Sequence, residues 1–388
     1  MVSDGINREI KRLSGRIRRL VYEIRRFQPE IRRFPPIFER FHFQQFPAET
    51  PSKNLITQRS GQLIKKKPSP TIKILKLYAL LRRILPKHPL RQEIEAELRK
   101  LEAGYKGELS LNYHLSFLPE KDYLIIFNLR LSYKTFFFQI DTLVLHTNFI
   151  LIAEVKNIAG EIYIDTDFNQ MIRTKQETTE IFPDPILQAF KQKERLEDWL
   201  ITKNHPAIPI EYRVVLTNSQ SQIKNTSQNK LVMDKLIRSD RLVYEIKKLT
   251  GKYPKLVVTP KELNRIANRL LKSSVPANPE VLAQFQLSSS DIRPGVHCSQ
   301  CQSLSMERVH GTWRCPVCRI KKKDAHLDAL KDYALLVDTT ISNKEMRHFT
   351  NLQCVSTAAR VLALMNLPST GTTKNRRYSL DSLFKDLH

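Results

Sequence analysis

The residues in this chain best equipped for chemistry are Asp141, Glu154 and Lys156. They lie within residues 136–157, FFFQIDTLVLHTNFILIAEVKN, which reads as two apolar strands around a polar turn at His146, Thr147 and Asn148. Strand side chains alternate faces, so Glu154 and Lys156 share one face while Ala153 and Val155 point the other way. A hairpin that closes symmetrically, with a two-residue loop at Thr147 and Asn148 or a four-residue loop around them, sets Asp141 opposite Glu154. Directly opposed residues bring their Cβ atoms to about 5 Å, where like charges oppose the sheet. A bound divalent cation, Mg²⁺ or Mn²⁺, would resolve the conflict, because hard cations sit on one or two carboxylates plus water and phosphate. The bland alternative is that Lys156 neutralises Glu154 and Asp141 faces solvent at a sheet edge. The aromatic and aliphatic residues around all three charges favour the metal, since buried charge is costly unless paired or coordinated.

A second set of ligands is more specific. Cys298-x-x-Cys301 and Cys315-x-x-Cys318 are separated by thirteen residues. Each pair delivers two thiolates through a tight turn, and four thiolates satisfy one tetrahedral Zn²⁺. The intervening Val309, Thr312 and Trp313 suit the hairpins of a zinc ribbon, whose closed site is structural. His297 and His310 flank a set that is already full. The fifth cysteine, Cys354, lies in an apolar helical pattern and is expected in a core.

A net charge of +25 over 388 residues implies a polyanionic partner, nucleic acid first and an anionic membrane surface second. No apolar run approaches the roughly 18 to 20 residues of a membrane helix, and the amino terminus has no secretory apolar region. CxxC pairs rather than a disulfide framework suit a reducing cytoplasm.

The elements that must position these groups follow from periodicity. Residues 1–65 form a basic extension, RIRRLVYEIRRF followed by a Pro, Ser and Gln-rich stretch, read as having no folded role. Residues 66–103 form a helical lead-in with Ile74, Leu77, Leu80 and Leu81 at helical spacing, interrupted by Pro86 and Pro89. Residues 104–218 read as helix, three strands, helix, strand. The order α-β-β-β-α-β describes an α/β sandwich, a mixed sheet flanked by helices. Residues 219–290 are a polar loop, helices over 235–249 and 260–271 with a short strand at 255–259 between them, and a linker. The ribbon spans residues 295–320.

Gly107-Glu108, Asp141, the run Glu154-Val155-Lys156-Asn157 with Gly160 after it, and Asp184-Pro185 with Gln188 together resemble the nuclease-related domain (NERD) family. That family is similar to the PD-(D/E)xK restriction-endonuclease-like superfamily. The resemblance covers roughly residues 104–218. It implies a restriction-endonuclease-like fold and a nuclease in which Asp141 and Glu154 hold the metal and Lys156 orients the attacking water. It further implies an auxiliary acid at Glu108, on a helix packed against the sheet, and a polar group at the site's rim in Gln188. Ile140 stands where a proline often precedes the first acid.

Residues 325–388 complete the chain. Helices over 325–337, 342–349 (with Ser342 and Glu345 as a capping box) and 355–365 precede a hairpin with a basic tip. Three helices and such a hairpin look like a winged helix-turn-helix, with Lys374, Arg376 and Arg377 on phosphate. A small helical packing domain with a solvated basic tail is the competing reading. The expected function is a Mg²⁺-dependent nuclease acting on nucleic acid, DNA ahead of RNA. The alternative is a non-catalytic binding or regulatory protein on a nuclease-like scaffold.

Overall fold

In the computed structural model, which describes residues 63–224 and 229–387, the chain enters a sheet at once. Leu63 is buried, and β1 (Ile64–Lys66) runs parallel to β2 (Tyr123–Tyr133). The folded chain thus starts upstream of residue 66. The rest of the basic extension, residues 1–62, lies outside the described residues. Between the two strands come α1 (Ile72–Arg83), capped by Thr71, and α2 (Arg91–Leu115), which starts just after Pro89.

β3 (Phe136–His146) pairs antiparallel with β2, and β4 (Ile150–Lys156) with β3. Leu145 stands opposite Ile150 and Thr142 opposite Ala153, so the turn is the four-residue form, residues 146–149. That register brings Asp141 next to Glu154. Face alternation breaks at one point on both strands of the first hairpin. Ile126 and Leu129 share one core with Ile140 and Leu143, whereas strict alternation would put 126 and 129, like 140 and 143, on opposite faces. Asn128 takes up the irregularity in a left-handed conformation (φ 52°), between the Phe127–Thr142 and Leu129–Ile140 pairs. Asparagine tolerates that conformation better than most residues.

Three strands follow, β5 (Gly160–Asp165), β6 (Gln170–Lys175) and β7 (Thr178–Pro183), as a separate meander. Gly160 turns the chain into it at φ 110°, where an added Cβ would lie 2.6 Å from the Thr174 carbonyl oxygen. Next come α3 (Pro185–Thr202), capped by Asp184 with proline in its first turn, β8 (Ile210–Leu216) parallel to β4, and β9 (Ser221–Ile223), which joins the meander beside β5. Residues 235–249, expected as one helix, instead divide into the end of α4 (Lys230–Lys235), β10 (Leu236–Arg238) parallel to β8, a 3₁₀ turn, and α5 (Leu242–Lys252). The strand expected at 255–259 is a loop: the Val257 and Val258 N–H groups both donate to the Thr147 carbonyl at the central turn. α6 (Pro260–Ser273) has a full capping box from Thr259 and Glu262.

The large sheet has the order β1-β2-β3-β4-β8-β10. One face packs on α3 and α6 through Ile152, Leu196, Trp199 and Leu263. The other packs on α5 and the second half of α2 through Phe127, Leu151, Leu111 and Leu115. A mixed sheet with helices on both faces is the architecture expected.

After the short α7 (Val281–Gln284), β11 (Glu307–Val309), β12 (Thr312–Arg314) and β13 (Lys321–Lys322) form a small antiparallel sheet around the cysteines. Then come α8 (Ala325–Leu336), β14 (Thr340–Ser342), α9 (Asn343–Thr350), α10 (Val355–Leu364), β15 (Ser369–Thr370) and β16 (Arg377–Ser379). The last three strands pair antiparallel in the order β14-β16-β15. Cys354, expected in a core, is instead exposed at the N-cap of α10, where the apolar pattern has not yet begun.

These C-terminal elements share one core with α1 and the first half of α2, including Leu77, Leu80, Ile94 and Leu98. Its polar pin is Arg83, fully buried, whose Nε meets Asp332 on α8 at 2.9 Å. One terminal nitrogen donates to the Gly295 carbonyl at 2.7 Å, and the guanidinium stacks on Phe349. Among the described residues no helix is long and apolar enough to cross a membrane.

Candidate active site and metal cluster

Glu154 ends the apolar run of β4 and is 1% exposed. Its two oxygens divide between two side chains. Lys156 Nζ approaches one at 2.7 Å, two residues along the same strand face. Gln192 Nε2 donates to the other at 2.7 Å. Lys156 in turn donates to Gln188 Oε1 at 3.1 Å. Gln188 and Gln192 are one helical turn apart on α3, so the Asp184 cap and Pro185 that start this helix also set the register of both amides.

Asp141 reaches the same place from β3, and one of its oxygens accepts the Val155 N–H at 2.9 Å. Burial, then the charges of Glu154 and Glu108, push its carboxyl well above the usual carboxylate range, against the pull of the Val155 N–H and Lys156. Glu108 comes from α2 on the other side. Burial pushes it up to about 7, with the Glu154 charge adding to the rise and an Asn128 hydrogen bond and Lys66 opposing it.

Gly107 permits that approach. A Cβ there would lie 2.8 Å from Asn157 Cβ and 2.9 Å from Thr217 Oγ1, so only glycine lets α2 sit this close to the ends of β4 and β8. Asn157 ties the contact together, donating to the Ala103 carbonyl at 2.7 Å and accepting from Asn218 at 3.0 Å.

The structure therefore brings together Asp141, Glu154, Lys156, Glu108 and Gln188. Three residues join them that the sequence reading did not single out. Gln192 is signalled by its spacing from Gln188. Asn128 is a lone amide in an apolar strand. Lys66 is concealed within the run Lys65 to Lys67. The donor set suits a hard divalent cation. It is all oxygen, and Glu108 Oε2 and Gln192 Oε1 are buried with no hydrogen-bond partner. The three carboxylates are each turned to their own donor. Among the described residues, only the cysteines form a group of three or more acidic, His or Cys ligands whose donor atoms meet within 4.8 Å.

That cysteine group is the expected one. Cys298 and Cys318 sulfurs lie 3.5 Å apart, as do those of Cys301 and Cys315. Four thiolates at 2.3 Å from a tetrahedral Zn²⁺ stand about 3.8 Å from one another, so the cluster fits the ion. Beside it Trp313, 1% exposed, donates its indole N–H to His326 Nδ1 at 3.1 Å.

The basic hairpin divides differently from expectation. Arg377 is held by Asp338 at 2.9 Å, Glu345 at 3.1 Å and the Thr340 carbonyl, and so clasps β16 to β14 and α9 instead of projecting outward. Arg376 is exposed. The side chain of Lys374 lies outside the described residues.

No curated protein and no solved structure matches the chain. Residues 103–217 match the model of the nuclease-related domain. The segment carrying Glu108, Asp141, Glu154, Lys156 and both glutamines is thus a nuclease-related domain.

Proposed function

We propose that the protein is a divalent-metal-dependent nuclease that hydrolyses phosphodiester bonds in DNA or RNA. The observation that carries this is the meeting of Asp141, Glu154 and Lys156 at one end of the sheet, with Glu108 from a separate helix turned to the same place. A fold used only for binding has no need of three carboxylates whose mutual repulsion it must bear.

Asp141 and Glu154 would hold the cation, with the free oxygen of Glu108 as a further donor. When bound, that ion supplies acidity to a water molecule and neutralises charge gathering on the phosphate. The chain's own residues do the rest. Lys156, steadied by Glu154 and Gln188, is a fixed positive donor able to position the water and stabilise developing negative charge. Gln192 holds Glu154 from turning away.

The C-terminal elements support a nucleic-acid-binding module. Helix, strand, two helices and two strands in the order α8-β14-α9-α10-β15-β16 support reading these elements as a winged helix-turn-helix. With Arg377 engaged internally, phosphate contact would fall to Lys374 and Arg376 in the hairpin and to the exposed Arg360 on α10. The cysteine cluster, loaded with Zn²⁺, would hold this module together.

The test is cleavage of single- and double-stranded DNA and RNA in Mg²⁺ or Mn²⁺ by the full chain, beside Asp141→Ala and Lys156→Ala. Cleavage by the parent and loss in both variants is expected. Equal cleavage by all three would place any activity elsewhere. Tight binding without cleavage would leave the protein a binder on a nuclease scaffold.

A further inference from the structure

Resting on the nuclease reading, we infer that Lys66 is a substrate-contacting residue of this site, binding a non-bridging phosphate oxygen of the nucleic acid beside the bond to be cut. Lys66 lies outside residues 103–217, on a strand that precedes the nuclease-related domain by the whole of α1 and the first half of α2. β1 adds to the open edge of β2, where its last residue pairs with Ile126, two residues before Asn128. There Lys66 Nζ donates to the Asn128 carbonyl at 2.7 Å.

Asn128 is the residue of β2 across from Asp141, and its side chain bonds Glu108. Lys66 is thereby held beside Glu108, on which its charge acts, while Lys156 is engaged by Glu154 and Gln188.

Lys66 is half-buried. Its ammonium has three donors and a single neutral acceptor; among the described residues no acid lies within 4.0 Å of it. It is held by a carbonyl, near a charge it does not touch, with donors left for an anion.

The charge balance points to which anion. Three carboxylates and two lysines leave the ionised site one negative charge in excess. A divalent cation turns that into one positive charge, the complement of a phosphodiester. A site furnished with Lys156 alone would only reach neutrality.

The experiment compares the full-length protein with Lys66→Met, which keeps the aliphatic stem, and Lys66→Arg, which keeps the charge. Circular dichroism and thermal unfolding establish that both fold. Affinity for fluorescent mixed-sequence oligonucleotides is measured with Ca²⁺ in place of Mg²⁺ over a range of salt, and KM and kcat are measured in Mg²⁺. Loss of one charge-assisted phosphate contact predicts roughly tenfold weaker binding or more. It also predicts a salt slope smaller by about 0.7 to 0.9. The effect should fall on KM ahead of kcat, with Lys66→Arg close to the parent. A Lys66→Met protein with unchanged slope and affinity overturns the assignment. The two readings separate cleanly. If the parent cuts nucleic acid and Lys66→Met leaves KM unchanged, Lys66 falls and the nuclease stands. If the parent cuts nothing while the slope change appears, the nuclease reading falls and the phosphate contact stands.

Discussion

Glu108 makes the carboxylate site testable without any substrate. Its carboxyl is carried from 4.5 to about 7, chiefly by burial. Between those values the unfolded chain has released this proton and the folded chain retains it. The folded state then binds more protons, so stability falls as pH rises through the interval. At about 1.4 kcal/mol per pH unit, the loss is about 3 kcal/mol by pH 8. Replacing Glu108 with Gln keeps shape and hydrogen bonding but removes the ionisation. In buffer without added divalent metal, and without chelator so that the cysteine cluster stays loaded, urea unfolding should find Glu108→Gln more stable than the parent at pH 8 by roughly that amount. At pH 4.5 the two should agree within about 0.5 kcal/mol, the range of a neutral substitution. Saturating Mg²⁺ should narrow the gap at pH 8, because an ion bound by the folded carboxylates stabilises the parent more. Parallel stabilities from pH 4.5 to 8 would refute the reasoning, since they would mean that Glu108 ionises as freely in the folded protein as in the unfolded one.

The contact that places Glu108 can be attacked directly. Gly107→Ala drives a methyl group into Asn157 and Thr217, an overpacking of about 1 to 3 kcal/mol only partly offset by about 1 kcal/mol of helix propensity. A lower melting temperature with reduced cleavage is expected, and a stabilised, fully active variant would show that α2 does not need the close approach. Asp332→Ala strands the fully buried Arg83 and should cost about 3 to 5 kcal/mol, read by urea unfolding. The double change Arg83→Met, Asp332→Leu should restore most of it, and no loss in the single variant would disprove the pin. Stripping metal with a chelator should expose Trp313, buried beside the cysteines, and shift its fluorescence to the red, measured in a Trp199→Phe background, with Zn²⁺ reversing the change; an unmoved spectrum would mean that the ribbon folds without an ion.

What the sequence makes legible here is what rests on periodicity and on short-range spacing. Asp141 and Glu154 could be paired on paper because strand register follows from counting back from one turn, and the four-residue form of that turn is the one adopted. The cysteines declare themselves through two tight turns. The capping box at Ser342 and Glu345 is local by nature and is found as expected. Contacts between distant segments leave no such mark. Nothing in the pattern around Asn128 announces a left-handed residue across from an acid. The Lys65 to Lys67 run looks like solvated charge until β1 finds the edge of β2. Arg377 has the sequence signature of a phosphate contact, yet Asp338 and Glu345, more than thirty residues upstream, claim it first.

The least legible feature is α2, because its two halves serve different cores. Ile94 and Leu98 pack with α1 and the C-terminal elements, while Leu111 and Leu115 pack under the large sheet. Either half alone reads as an ordinary amphipathic helix. Joined without a break over 25 residues, they fix Glu108 by constraints at both ends. Gly107 lets the helix touch the strand that carries Glu154 and Lys156 and its neighbour β8, and the Arg83–Asp332 pin anchors the core that grips the other end. The helix has no proline to kink it, so a displacement of one end carries to the other. Loosening the C-terminal core should therefore be felt at Glu108 before it is felt at Asp141 or Glu154, which stand on the sheet, Glu154 being held in addition by Gln192 on α3.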